Sequence, residues 1–140
     1  MEDITLYNAY YDKQTEKTLY SRTYLFGVDW QGSNAITIRD KGLISEDKTE
    51  IFIPFSIETA KKYIRPKAFS RLSENEREKY FTFSNKDIVV KGTVDFDVTG
   101  EKGHTKKDLE SNYDDVLTII SVSTFDYGSE NMQHWEVLAK

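Results

Sequence analysis

The sequence predicts a mainly β domain, a small antiparallel barrel or sandwich with long N-terminal and C-terminal hairpins and one to three short helices. Three observations carry this expectation. The chain holds nine Tyr, eight Phe and two Trp, 14% aromatic in all, and aromatic side chains favour strands. Apolar residues recur at every second position through much of the chain, the period of a half-buried strand. The run Val116-Leu117-Thr118-Ile119-Ile120-Ser121-Val122 is rich in β-branched residues and leads through a polar turn into an alternating segment. At 140 residues the length fits one domain, within the usual range of roughly 100–200. No internal repeat and no Gly/Ser/Pro-rich linker divides it, so residues 1–140 read as a single unit.

Residues 4–11 form the first predicted strand, with Ile4, Leu6 and Tyr10 on one face and Thr5, Tyr7, Ala9 and Tyr11 on the other. After the polar turn at residues 12–17, residues 18–30 return as a second strand carrying Tyr20, Tyr24 and Phe26. Together they make a long antiparallel hairpin with aromatic cross-strand pairs. Gly27 marks a bulge. A short strand over residues 34–39 (Ala35, Ile36, Ile38) precedes a turn at Asp40-Lys41-Gly42. Residues 43–48 read as a polar connection, and residues 49–55 as a strand through Ile51, Ile53 and Phe55.

Residues 56–63 suggest a helical turn ended by Arg65-Pro66. Ser73-Glu74-Asn75-Glu76 has the form of a capping box and opens a short helix. Residues 80–83 and 87–94 suggest two strands joined at Ser84-Asn85-Lys86. Thr105-Lys106-Lys107-Asp108 is a second capping signal, starting a helix towards Asn112. The strand 116–122 is expected at the centre of the sheet. The turn 126–131 then returns the chain into 132–138, where Trp135 and Val137 share a face. The loops 40–48 and 97–108, long and rich in Gly and Lys, are expected to be mobile.

The candidate chemistry is sparse. With no cysteine, the chain has no thiolate nucleophile, no disulfide and no Cys-ligated metal site. Only two histidines occur. Asp95-Phe96-Asp97-Val98-Thr99-Gly100-Glu101 spaces its acids as a calcium loop does, but the twelfth position is Lys106, not the bidentate acid such a loop needs. Asp114-Asp115 reads as the polar start of a strand. No Walker-type loop, Gly-x-Ser-x-Gly elbow or dinucleotide fingerprint is present. His134 reads as a strand histidine hydrogen-bonded at a sheet surface, and His104 as an exposed loop residue. No catalytic residue, metal or cofactor is expected, and the chain is not expected to be an enzyme.

The net charge of −5 disfavours a general nucleic-acid coat. One cationic stretch stands out, from Lys61 through Lys62, Arg65 and Lys67 to Arg71, with Tyr63 and Phe69 interleaved. Basic residues between aromatics can bind single strands on a barrel surface, but a solvated or partner-docking connection is the preferred reading. A second group, Lys102 with Lys106-Lys107, shares its loop with Glu101 and Asp108. The N-terminus carries acids where a secretion signal has a basic stretch, and no window is apolar enough for a membrane span. Synthesis in the cytoplasm is expected, with no membrane partner.

Several stretches carry a family resemblance. They are Ile4-Thr5-Leu6-Tyr7-Asn8 with Tyr24-Leu25-Phe26-Gly27-Val28-Asp29-Trp30, and Asp40-Lys41-Gly42-Leu43-Ile44-Ser45 leading to Ile51-Phe52-Ile53-Pro54. The third is Asp115-Val116-Leu117-Thr118-Ile119-Ile120-Ser121-Val122, followed by Gln133-His134-Trp135-Glu136-Val137-Leu138-Ala139-Lys140. In this order the chain resembles small prophage structural proteins of the head-closure and head–tail joining (minor capsid) type. The resemblance implies a virion subunit made in the bacterial cytoplasm and assembled into a ring. Its partners would be further copies of itself and neighbouring portal, adaptor or tail-side proteins, without specific DNA recognition. The alternative is a small β-barrel module that binds nucleic acid or a peptide. For the ring, parity suggests the contact: Tyr7, Tyr11, Tyr20 and Tyr24 would face a neighbouring subunit, since tyrosine suits a surface wet before assembly and buried after it.

Overall fold

The computed structural model describes residues 1–39 and 42–140, and side chains outside residues 33–47. The strands are β1 (Glu2–Asp12), β2 (Lys17–Arg39), β3 (Gly42–Pro54), β4 (Lys62–Tyr63), β5 (Tyr80–Phe81), β6 (Ile88–Lys91), β7 (Val116–Phe125) and β8 (His134–Ala139). Three short helices are α1 (Pro66–Ser70), α2 (Glu74–Arg77) and α3 (Lys106–Asn112). Six strands close on themselves in the order β1-β2-β3-β8-β7-β6, each antiparallel to its neighbours, while β4 and β5 form a separate parallel pair. The expected antiparallel barrel with hairpins at both ends is therefore present.

The barrel interior is filled from alternating positions. Ile4 and Leu6 of β1, Leu25 and Val28 of β2, Ile51 and Ile53 of β3, Ile119 of β7, and Trp135 and Val137 of β8 form one core with Phe81 and Phe83. The alternation continues on the outer face of β1. There Tyr7 joins Ile88, Val90, Val94, Val98 and Leu109 in a second cluster. The segment from Gly92 to α3 lies over this outer face, so β1 is buried on both sides. Burying large apolar areas on two faces at once gives a small barrel more core than its ring alone supplies.

Gly27 is the predicted bulge: pairing shifts between Glu2↔Val28 and Asp3↔Phe26, and Gly27 takes φ +90°. Its N–H donates to Asp3 Oδ1 at 3.2 Å. The Thr105 cap is a full capping box, with Thr105 Oγ1 accepting from Asp108 N–H and Asp108 Oδ2 accepting from Thr105 N–H at 2.9 Å. Ser73 caps α2 by accepting from Glu76 N–H.

Several expectations are corrected. Residues 43–48 lie within β3, paired with β2 as far as Arg39↔Gly42, instead of forming a polar connection. The turn residues Asp40 and Lys41, and the faces of Ala35, Ile36 and Ile38, lie outside what is described. Residues 56–63 make a turn and the short strand β4, and Pro66 begins α1 instead of ending a helix. Proline suits the first helical turn, where its missing N–H would have no partner in any case. Residues 80–83 and 87–94 do not form a hairpin: β5 pairs in parallel with β4, and β6 with β1 and β7. In β7, Ile119 is buried but Ile120 is 40% exposed. The register steps from Ile119↔Ala139 to Ser121↔Leu138, leaving Ile120 as the unpaired residue of a bulge.

Candidate functional site

The four tyrosines proposed as a contact surface divide sharply. Tyr7 is 1% exposed, and its hydroxyl donates to the Phe96 carbonyl at 2.6 Å. The Tyr24 hydroxyl donates to the Val94 carbonyl at 2.9 Å. Between them, Thr5 Oγ1 donates to the Gly92 carbonyl and accepts from Val94 N–H, at 2.8 and 3.0 Å. These bonds staple residues 92–98 onto β1 and β2, and Arg22 adds ion pairs to Asp95 and Asp97 at 3.3 and 2.9 Å. Tyr7 thus serves the chain's own packing and is not available to a neighbour. Tyr20 is half-buried against the same cluster, and burial raises its phenol above the ordinary value. Only Tyr11 stays open, at 61%. The missed signal was Val94, Phe96 and Val98, whose alternation supplies the cover that the tyrosine face required.

Tyr11 lies at the end of the β1–β2 ribbon. Its neighbour Tyr10 points the other way, with the Arg77 guanidinium 4.0 Å from its ring centroid. The tip beyond is an ordered turn: Asp12 accepts from Gln14 N–H at 3.1 Å and from the Thr15 hydroxyl at 2.8 Å.

A groove of about 670 Å³ lies at the end of the barrel where β7 turns into β8. Phe55, Tyr63 and Trp135 line it, with Arg65, Pro66, Thr124 and Asp126. Trp135 lies 4.4 Å from Phe55 and 4.6 Å from Tyr63, centroid to centroid. Phe83 packs behind, 5.3 Å from Trp135. Burial raises the Tyr63 phenol, an effect moderated by Thr82, Arg65 and Trp135. The groove therefore offers aromatic surface with one cationic and one anionic residue beside it. Sequence reading singled out Tyr63 and Arg65 as part of a basic stretch and Trp135 as a strand residue. Their convergence with Phe55 depends on β3, β4 and β8 ending at one place, which no local pattern reveals.

Two members of the basic stretch turn away from the surface. Phe69 is buried, and Lys61 turns inward, donating to the Arg22 carbonyl at 2.6 Å and to Ser21 Oγ at 3.3 Å. Burial pulls its ammonium below the ordinary value. Lys106 donates to Thr118 Oγ1 at 3.0 Å.

The titratable groups are similarly engaged in structure. Asp87 is buried between β1 and β7, accepting from Asn8 Nδ2 at 2.8 Å, Ala9 N–H at 2.9 Å and Ser84 N–H at 3.0 Å. Burial pushes its carboxyl up to about 6, against the opposing effect of those three donors. His134 stacks on Phe125 at 4.9 Å and bonds the Met132 carbonyl and Glu136, both of which raise its imidazole. His104 is exposed and bonds the Asp97 carbonyl at 3.1 Å. Among the described residues, no three His, Asp or Glu side chains converge as a metal site.

No helix among the described residues is long and apolar enough to cross a membrane. No curated protein matches the chain, and neither does any solved structure. Over residues 1–140 the chain matches one family profile, and it belongs to that family, described as a family of unknown function (DUF6751).

Proposed function

We propose that the chain is a non-enzymatic virion subunit of a phage or prophage, one copy of a ring that closes the head or joins it to the tail. The observation that carries this reading is the β2–β3 ribbon. β2 pairs with β1 only as far as Val28, and β3 pairs with β8 only from Thr49 onward. Residues 33–39 and 42–48 pair with one another alone, among the described pairings. Seven residues at about 3.3 Å each carry the ribbon roughly 23 Å past the barrel. A two-stranded ribbon is marginal in water by itself, so a long one projecting from a closed barrel suits a molecule that works beside neighbours. The net charge of −5 suits a subunit beside a DNA channel, since it gives the passing phosphates little to hold. The resemblance over both terminal hairpins points the same way. Its partners are then other copies of itself and the adjoining portal, adaptor or tail-side proteins.

Disrupting the coding sequence in the phage or prophage that encodes it tests this reading. Electron microscopy of lysates should show heads and tails that fail to join. The intact chain supplied in trans should restore joined particles. A chain whose residues 33–47 are replaced by a two-residue turn should fold, melt with the parent and fail to restore them. Normal particles from the disrupted phage would overturn the proposal.

A further inference from the structure

The described residues hold an aromatic groove, a polar recess around Lys61 and Arg77, and the buried Asp87 carboxyl. In the recess, Lys61 already has two acceptors, and Glu74 and Glu78 line the same walls as Arg77. Asp87 has three donors of its own. The groove has aromatic walls and no occupant among the described residues.

Resting on the ring reading above, we propose that the groove receives the β1–β2 ribbon tip of the next copy, with Tyr11 entering beside Phe55, Tyr63 and Trp135. Topology supplies the first argument. In the closed order β1-β2-β3-β8-β7-β6, the β1–β2 pair stands three places from the β8–β7 pair, on the opposite side of the barrel. Because all six neighbours are antiparallel, β1 and β7 run the same way. The β1–β2 and β7–β8 turns therefore lie at the same end, and the long β2–β3 ribbon leaves from the other. A closed ring needs two different patches on opposite flanks at one axial level, because head-to-tail contacts close into rings when the rotation permits. Tip and groove meet that requirement, and every β2–β3 ribbon then points along the same direction.

Chemistry supplies the second argument. Tyr11 is the exposed aromatic at the tip end of its ribbon, since Tyr10 is held under Arg77 and Phe26 lies at the far end opposite Asp3. The Asp12 bonds order the turn in advance, which lowers the entropy lost on docking. Charges complement as well. Among the described residues, Lys13, Glu16 and Lys17 at the tip, and Arg65 and Asp126 at the groove, form no ion pair within the chain. Tip cations can face Asp126 and Glu16 can face Arg65. A contact of this size is weak for one pair and strengthened when a ring closes.

The absence of cysteine makes the test clean. Particles carrying the chain with both Tyr11→Cys and Thr124→Cys are oxidised, denatured and run without reductant. A ladder of covalent multimers extending beyond the dimer is expected, collapsing to monomer with thiol. Each single variant should stop at monomer or dimer. In parallel, Tyr11→Ser should melt with the parent and enter particles at least tenfold less well, and Tyr11→Phe should restore entry. Particles that contain the double variant at normal level but give no ladder would overturn the tip-in-groove contact and leave the ring reading standing. Absence of the unsubstituted chain from particles would overturn both.

Discussion

Asp87 shows how much a single side chain can hold. Its two carboxylate oxygens collect donors from Asn8 Nδ2 and Ala9 N–H, both of β1, and from Ser84 N–H in the turn before β6, so one buried group ties that turn to β1. Removing it by Asp87→Ala leaves three donors without an acceptor, and unfolding in urea should show a loss of about 2–4 kcal/mol. Its titration has a definite sign. Burial raises the carboxyl from 3.8 to about 6 in the folded chain, so between those values the folded state binds more protons than the unfolded one. The contribution is complete below about pH 4 and is lost as pH rises through about 6. Asp87→Asn, neutral at every pH, isolates it from the other carboxylates. Relative to the parent, that variant should gain about 2–3 kcal/mol between pH 4 and pH 7. A difference that stays constant across this range would contradict the account.

At the scale of elements, β7 separates what alternation reveals from what it hides. The run at 116–122 reads as a buried strand, yet Ile119 faces inside and Ile120 is exposed, and the bulge between Ile119 and Ser121 shifts the parity so that Val122 packs on the core. Ile119→Ala should cost roughly 2–5 kcal/mol, whereas Ile120→Ala should cost less than about 1 kcal/mol. Equal losses in denaturant melts would mean that the two faces of β7 are misassigned. Local chemistry was legible where it acts over a few residues: the Gly27 bulge, the Ser73 and Thr105 caps, and the terminal hairpins could all be placed from sequence. The start of α1 at Pro66 could have been, since proline favours a first turn. The parallel β4–β5 pair could not, because it joins two-residue strands separated by two helices. The extent of β3 was hidden for a different reason. Residues 43–48 lack the apolar alternation that marks a strand locally.

For the whole molecule, the instructive error is the tyrosine face. Parity placed Tyr7 and Tyr24 on the outer side of the first hairpin, and that was sound. What covers that side was not local information: residues 92–98 arrive from beyond β6 and take both hydroxyls. The cover leaves Tyr11 at one flank, the groove at the other, and the β2–β3 ribbon projecting from the far end. Under the ring reading proposed above, these three separate features would serve one repeating subunit. The claim is tested most directly by locating the chain in the particle. The protein is tagged in its exposed loop at residues 101–103, purified particles are labelled with gold against the tag, and the label is mapped by electron microscopy. The account predicts gold at a single vertex, between head and tail. Label distributed over the capsid or along the tail, or particles without label, would contradict it.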